Sequence, residues 1–151
     1  PSLGTGDAAG DTIGADIELI EGSDAGDSIN VDGRSMGVDG RAGDDSLIGG
    51  FGDDSLFGGF GADTLSGGGN NDVLEGGEGA DVFSGGDGFD RVTYQGSFSP
   101  VHLVLSNPAL GDGDALGDMI NSDVETIEGS AFDDTLEGDA GDNLFDGADG
   151  A

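Results

Sequence analysis

A nine-residue unit repeats six times without a gap from Gly40 to Thr93, and this period constrains the fold more than any other feature of the chain. The units read GRAGDDSLI, GGFGDDSLF, GGFGADTLS, GGGNNDVLE, GGEGADVFS and GGDGFDRVT. Position 6 of each unit is an aspartate: Asp45, Asp54, Asp63, Asp72, Asp81 and Asp90. Position 8 is a large apolar residue: Leu47, Leu56, Leu65, Leu74, Phe83 and Val92. One carboxylate and one apolar side chain at fixed phase predict stacked, equivalent turns.

Each unit divides into a glycine-rich turn that visits positive φ and a three-residue strand whose central apolar side chain points inward. Two units would form one 18-residue turn of a flattened coil, so residues 18 apart stack at about 4.8 Å. The inward side chains then form two columns: Ile29, Leu47, Leu65 and Phe83, and Ile20, Val38, Leu56, Leu74 and Val92. The aspartates form matching columns along the two edges. The sequence therefore predicts an all-β, parallel β-solenoid.

The charge of the chain indicates that a cation is needed for folding. The 151 residues include 33 acidic side chains against three arginines, which gives a net charge of −30, and 34 glycines. Low hydrophobicity with high net charge is typical of disorder, and stacked carboxylates repel one another. Ca²⁺ between stacked loops would turn this repulsion into coordination, because Ca²⁺ accepts six to eight oxygen ligands, including backbone carbonyls. We expect several Ca²⁺ ions.

The same charge argues against nucleic acid and against anionic membrane surfaces as partners, since both attract Lys and Arg. No stretch is apolar enough for a membrane span, and the first ten residues do not resemble a signal peptide. The absence of cysteine excludes disulfides. We expect His102 to point outward from a strand, and no nucleophile–base–acid set is visible, so we do not expect an enzyme.

The nine-residue phase extends beyond the six strong units. Upstream units place Glu18, Asp27 and Met36 at position 6, and downstream units place Glu125, Asp134 and Asn143 there. We expect a β-roll over 1–93, an inserted strand at Val101–Leu105 with a Gly/Asp-rich loop within 94–119, and a resumed roll over 120–151. In addition, 20 of the first 44 residues are identical to those 107 positions later, which suggests one module plus the start of the next, cut from a longer repetitive protein.

These repeats resemble the repeats-in-toxin (RTX), or haemolysin-type calcium-binding, family, and the segments at 90–95 and 123–143 resemble a linker unit of its long members. The resemblance implies a right-handed parallel β-roll of GGxGxDxUx units, with each Ca²⁺ held by two loops that lie two units apart. One loop would provide the carbonyls of positions 2 and 4 and its aspartate. The loop 18 residues further on would provide the carbonyls of positions 1 and 3 and its own aspartate. The implied ligand residues are Asp27, Gly40, Arg41, Ala42, Gly43, Asp45, Gly50, Gly52, Asp54, Gly58, Gly59, Phe60, Gly61, Asp63, Gly67, Gly68, Gly69, Asn70, Asp72, Gly76, Glu78, Asp81, Gly85, Asp87 and Asp90.

The pairing predicts that calcium clusters in the middle of the chain, because Met36 has no carboxylate and Glu18, Glu125 and Asn143 are doubtful ligands. Asp63 would serve two ions, whereas Asp134 would lie opposite Leu116 and contribute little.

The leading functional hypothesis is a non-catalytic, calcium-induced folding module of a secreted bacterial protein, located outside the cell or on its surface. The resemblance adds export by the type I secretion machinery. The alternatives are a calcium-rigidified stalk or surface-layer segment of an adhesin, and an enzyme whose activity lies in another domain. Exposed Phe51 and Phe60 could mark a partner surface or be ordinary exposed aromatics.

Overall fold

The computed structural model describes residues 19–31 and 33–149, and within them the chain forms a parallel β-solenoid. The first sheet contains β1 (Leu19–Glu21), β3 (Gly37–Ala42), β5 (Ser55–Phe60), β7 (Val73–Glu78), β9 (Arg91–Thr93), β12 (Thr126–Glu128) and β14 (Phe145–Asp146). The second contains β2 (Ser28–Asn30), β4 (Ser46–Phe51), β6 (Thr64–Gly69), β8 (Val82–Asp87) and β11 (Met119–Ile120). A third sheet pairs β10 (His102–Val104) with β13 (Thr135–Glu137). Single 3₁₀ turns form at Pro108–Leu110 and Gly113–Ala115.

Strands alternate between the first two sheets from β1 to β9, and each strand from β1 to β7 pairs with the strand two ahead. Leu47 therefore lies opposite Leu65, and Val38 opposite Leu56, a separation of two repeat units. All the ladders between these strands are parallel, and this confirms the predicted turn of two units. Glu18 and the start of the unit at Ile13 lie outside the described residues.

The core is the space between the two sheets, and the position-8 side chains fill it. The predicted columns are confirmed, because their members are at most 3% exposed: Ile20, Ile29, Val38, Leu47, Leu56, Leu65, Leu74, Phe83 and Val92. Met36 joins this cluster at 5% exposure and is therefore part of the apolar core. With one column from each sheet, the core is narrow and runs along the roll axis.

The strands are longer than the sequence predicts. The prediction of three-residue strands is wrong for β3 to β8, each of which has six residues. The glycine half of the unit also pairs in register, as Gly50 does with Gly68 and Arg41 with Gly59. Because successive turns of the coil are congruent, the backbone of positions 1 to 3 meets an identical backbone two units on, and the ladder continues. Only a short connection remains between strands, such as 52–54.

The insertion after β9 leaves the roll and then returns to it in register. Within the segment Val101–Leu105, where the sequence predicts a strand, β10 forms at His102–Val104, and Val101 and Leu103 belong to the core. Strand β11 then pairs with β8. Ile127 of β12 lies opposite Val92, and Phe145 of β14 opposite Ile127. The column of the first sheet therefore continues past an insertion that raises the spacing between stacked residues from 18 to 35.

Candidate metal centre

The position-6 aspartates form two buried ladders along the edges of the roll. We call Asp27, Asp45, Asp63 and Asp81 the first ladder, and Asp54, Asp72 and Asp90 the second ladder. Each of these side chains is at most 4% exposed. Carboxylates are rarely so buried without a partner, so the fold places seven aspartates where each needs one.

One oxygen of each carboxylate beyond Asp27 is held by the preceding turn of the coil. The backbone N–H of Asp45 donates to Asp63 Oδ1 at 2.8 Å, and that of Asp54 donates to Asp72 Oδ1 at 2.8 Å. Equivalent hydrogen bonds run from the backbone N–H of residues 27, 36, 63 and 72 to Oδ1 of Asp45, Asp54, Asp81 and Asp90, respectively. These bonds fix the side-chain orientation and bring together the carboxylate pairs that the 18-residue spacing predicts.

The other oxygen accepts no hydrogen bond from the protein. It is the buried Oδ2 in six aspartates, namely Asp45, Asp54, Asp63, Asp72, Asp81 and Asp90. In Asp27 the unpartnered atom is Oδ1, because its Oδ2 accepts from the backbone N–H and the hydroxyl of Ser23. A buried charged oxygen without a partner is costly, so the same defect in every copy indicates a cation ligand.

A main-chain carbonyl oxygen lies beside the same point as the unpartnered carboxylate oxygen. A methyl group placed on Gly49 would lie 2.5 Å from Asp54 Oδ2 and 2.7 Å from the carbonyl oxygen of Gly67. The equivalent methyl on Gly58 would contact Asp63 Oδ2 and lie 2.6 Å from the Gly76 carbonyl oxygen. Glycine at position 1 thus leaves room between two oxygens from successive loops, and oxygen ligands of both kinds suit Ca²⁺.

The turns have positive φ at position 2 of all six units and at position 4 of five of them, with Gly79 as the exception. At position 2 the values range from 77° at Arg41 to 113° at Gly68. Asn70, at position 4, has φ 80°, a conformation that asparagine tolerates better than most residues. The Arg41 guanidinium forms an ion pair with Glu21 at 3.0 Å, so only the backbone of Arg41 takes part in the turn.

The remaining predicted ligand residues occupy equivalent places. Positions 1 to 3 end a strand and position 4 begins the next connection. Gly40, Arg41 and Ala42 thus lie in β3, Gly50 in β4, Gly58, Gly59 and Phe60 in β5, Gly67, Gly68 and Gly69 in β6, Gly76 and Glu78 in β7, and Gly85 and Asp87 in β8, whereas Gly43, Gly52, Gly61 and Asn70 lie in connections.

The electrostatics of the ladders disfavour ionised carboxylates in the absence of a cation. Burial raises the pKa of Asp81 to about 7 and the pKa values of Asp45 and Asp72 to about 6. The backbone hydrogen bond opposes this shift, and the stacked neighbouring aspartates add to it. No three acidic or histidine side chains converge in residues 19–31 and 33–149. A cation would therefore be held by two carboxylates together with carbonyl oxygens.

Comparison with known families agrees with this geometry. The family model of the RTX calcium-binding nonapeptide repeat matches residues 38–65, 57–92 and 120–151, with four copies. The chain belongs to the RTX calcium-binding repeat family. It is thus a calcium-binding repeat module, and its cofactor is Ca²⁺, with several ions in an RTX domain. No curated protein matches the chain.

The structure adds one acidic residue, Asp118, that the sequence analysis missed. Asp118 is 1% exposed, and its Oδ1 accepts the backbone N–H of Asp81 at 2.9 Å, so it continues the first ladder of this RTX chain. Its Oδ2 accepts the hydroxyl of Tyr94 at 2.7 Å and is therefore satisfied by the protein. The signal was the spacing of Asp118 from Ile120, which matches positions 6 and 8 of the repeat.

The prediction that Asp134 lies opposite Leu116 is wrong. Asp134 lies against the inserted strand rather than Leu116, because residues 94–118 add a turn that the 18-residue rule does not count. The backbone N–H of Val101 donates to its Oδ1 at 2.8 Å, and Ser130 donates to both of its oxygens. Asn143, another doubtful ligand, accepts the backbone N–H of Asp139. Both side chains are thus satisfied within the protein.

Proposed function

We propose that this chain is a calcium-induced folding module, in which Ca²⁺ ions bound between loops two units apart hold the roll together. The observation that supports the proposal most directly is the buried, unpartnered oxygen present in each aspartate of both ladders. One ion would be bound by Asp54 and Asp72, with the carbonyls of Gly50, Gly52, Gly67 and Gly69. Equivalent ions would be bound between Asp27 and Asp45, between Asp45 and Asp63, between Asp63 and Asp81, and between Asp72 and Asp90.

The proposal includes secretion. An ion that binds only the folded state stabilises it by about 2.7 kcal/mol per site at a hundredfold excess over Kd. A chain with a net charge of −30 would then stay unfolded at low calcium, pass through a type I channel, and fold in the calcium-rich medium outside. In the described part of the chain no helix has the length and apolarity to span a membrane. The role we propose for the aspartates is binding rather than catalysis.

Circular dichroism tests the coupling of folding to calcium. With excess chelator the chain should be largely disordered, and Ca²⁺ should induce β-structure cooperatively, whereas Mg²⁺ should induce far less because it needs a tighter octahedron and retains its waters. A spectrum that shows full β-structure in chelator would contradict the proposal.

A structural stalk is the second candidate, and the register across the insertion favours it. Because Ile127 stacks on Val92, the roll axis continues through residues 94–118. A multi-module chain would then stiffen along its whole length on binding calcium. Small-angle scattering on two consecutive modules would show a calcium-dependent increase in length for a stalk and two independent bodies otherwise.

A further inference from the structure

The second ladder has a further carboxylate beyond Asp90. Glu125 lies immediately before β12, which stacks on β9, and Glu125 Oε2 accepts the backbone N–H of Asp90 at 2.7 Å. Within the regular ladder the equivalent hydrogen bond runs from the backbone N–H of Asp54 to Asp72 Oδ1, at 2.8 Å. Glu125 therefore occupies the place of the next aspartate, although its separation from Asp90 is 35 instead of 18 positions.

A carbonyl also takes the place of the position-1 glycine carbonyl. A methyl group placed on Gly85 would lie 2.5 Å from Asp90 Oδ2 and 2.5 Å from the carbonyl oxygen of Asp123. The corresponding distances at Gly49 in the regular ladder are 2.5 and 2.7 Å. Asp90 is completely buried, and its Oδ2 has no hydrogen-bond partner. The two oxygens thus converge as they do in the repeats.

The side chain of Asp123 anchors this carbonyl. Its Oδ2 accepts the hydroxyl of Ser84 at 2.8 Å, and its Oδ1 accepts the backbone N–H of Gly85 at 3.3 Å. Both donors belong to β8, so the segment that carries the carbonyl is tied to the loop that carries Asp90. Both carboxylate oxygens of Asp123 therefore accept hydrogen bonds within the protein, and only its main-chain carbonyl is available as a ligand.

A glutamate is suited to this position because the connection is shorter than in a regular repeat. Glu125 follows Ile120, which packs on the core, by five positions, whereas Asp72 follows Leu65 by seven. We infer that the extra methylene of glutamate is used to place the carboxylate on the N–H of Asp90 at the end of this shorter connection.

We propose that Asp90 Oδ2, the main-chain carbonyl of Asp123 and the carboxylate of Glu125 bind one further Ca²⁺, across the insertion. The ligands of this site come from both sides of the insertion rather than from two units 18 residues apart, and the site rests on the calcium-binding function proposed above. On the opposite edge Asp118 takes the place that Glu125 takes here, and its second oxygen, Oδ2, accepts the hydroxyl of Tyr94. The insertion therefore extends the second ladder by an ion, whereas the last carboxylate of the first ladder is bound by a protein hydroxyl.

Equilibrium dialysis with radioactive Ca²⁺ on the full chain tests the site. Glu125→Gln keeps an oxygen to accept the N–H of Asp90 but removes the charge, and we expect it to bind one ion fewer per chain. Glu137→Gln is the matched control, since Glu137 is 61% exposed and faces His102, and it should bind the parental number. Glu125→Asp, which keeps the charge but is shorter, should also lose one ion.

Asp54→Asn serves as the reference for the regular ladder. If Asp54→Asn loses calcium while Glu125→Gln and Glu125→Asp retain the parental number, the site across the insertion is refuted and the proposed function stands. If the parent chain binds no calcium, the proposed function fails as well. Circular dichroism in calcium verifies folding, and if Glu125→Gln does not reach the parental spectrum, the count for Glu125→Asp decides.

Discussion

Asp63 and Asp54 allow a direct test of how many ions one carboxylate serves. Both side chains are 1% exposed, both have an unpartnered Oδ2, and both accept one backbone N–H through Oδ1 at 2.8 Å. They differ in what lies one turn before them. Asp63 stacks on Asp45, whereas Asp54 stacks on Met36, which offers no carboxylate. Asp63 should therefore serve two ions, and Asp54 one.

The expected effects follow from this count. At free calcium a hundredfold above Kd, each ion contributes about 2.7 kcal/mol to the free energy of unfolding. Asp63→Asn should then cost about 5 kcal/mol and Asp54→Asn about 2.7 kcal/mol, if each substitution abolishes the sites it touches. The amide oxygen of asparagine can still accept the N–H of the preceding turn, so the hydrogen-bond term nearly cancels between the two variants.

Urea denaturation at fixed free calcium measures both values, and equilibrium dialysis counts the ions lost. Asp134→Asn is the control, because Ser130 and Val101 already satisfy its oxygens, and we expect it to keep the parental ion count. Equal losses for Asp63→Asn and Asp54→Asn would show that an ion does not need a carboxylate from both loops. A larger loss for Asp134→Asn than for Asp63→Asn would refute the 18-residue pairing.

Two further predictions concern the core and the end of the first ladder. Leu65→Ala should lower the free energy of unfolding by about 2–5 kcal/mol in urea denaturation, because Leu65 is completely buried in a narrow core, and Leu144→Ala, at 55% exposure, should change it little. Tyr94→Phe should cost about 1.5–3 kcal/mol in the same assay, because it leaves Oδ2 of the buried Asp118 carboxylate without a donor. An unchanged stability would show that this hydroxyl does not hold the carboxylate.

The regular part of the roll could be predicted from the sequence because one rule applies to every unit. Once position 6 and position 8 are recognised, the 18-residue spacing fixes which residues stack, and Leu47 on Leu65 or Asp45 on Asp63 follows without further information. The strand lengths did not follow, since pairing by the glycine half depends on two turns being congruent in space. No propensity of a single glycine-rich segment indicates that.

The insertion marks the limit of this reasoning, for a physical reason. A period predicts contacts only while each turn contains the same number of residues, and residues 94–118 change that number by different amounts on the two sheets. Asp81 meets Asp118 after 37 residues, and Asp90 meets Glu125 after 35. The local pattern of a carboxylate two positions before an apolar residue that packs in or on the core survives at both places, with Ile120 and Ile127 as the apolar partners. At this insertion the two residues that continue the ladders, Asp118 and Glu125, therefore keep the local pattern of the repeat although they lose its count from the previous unit.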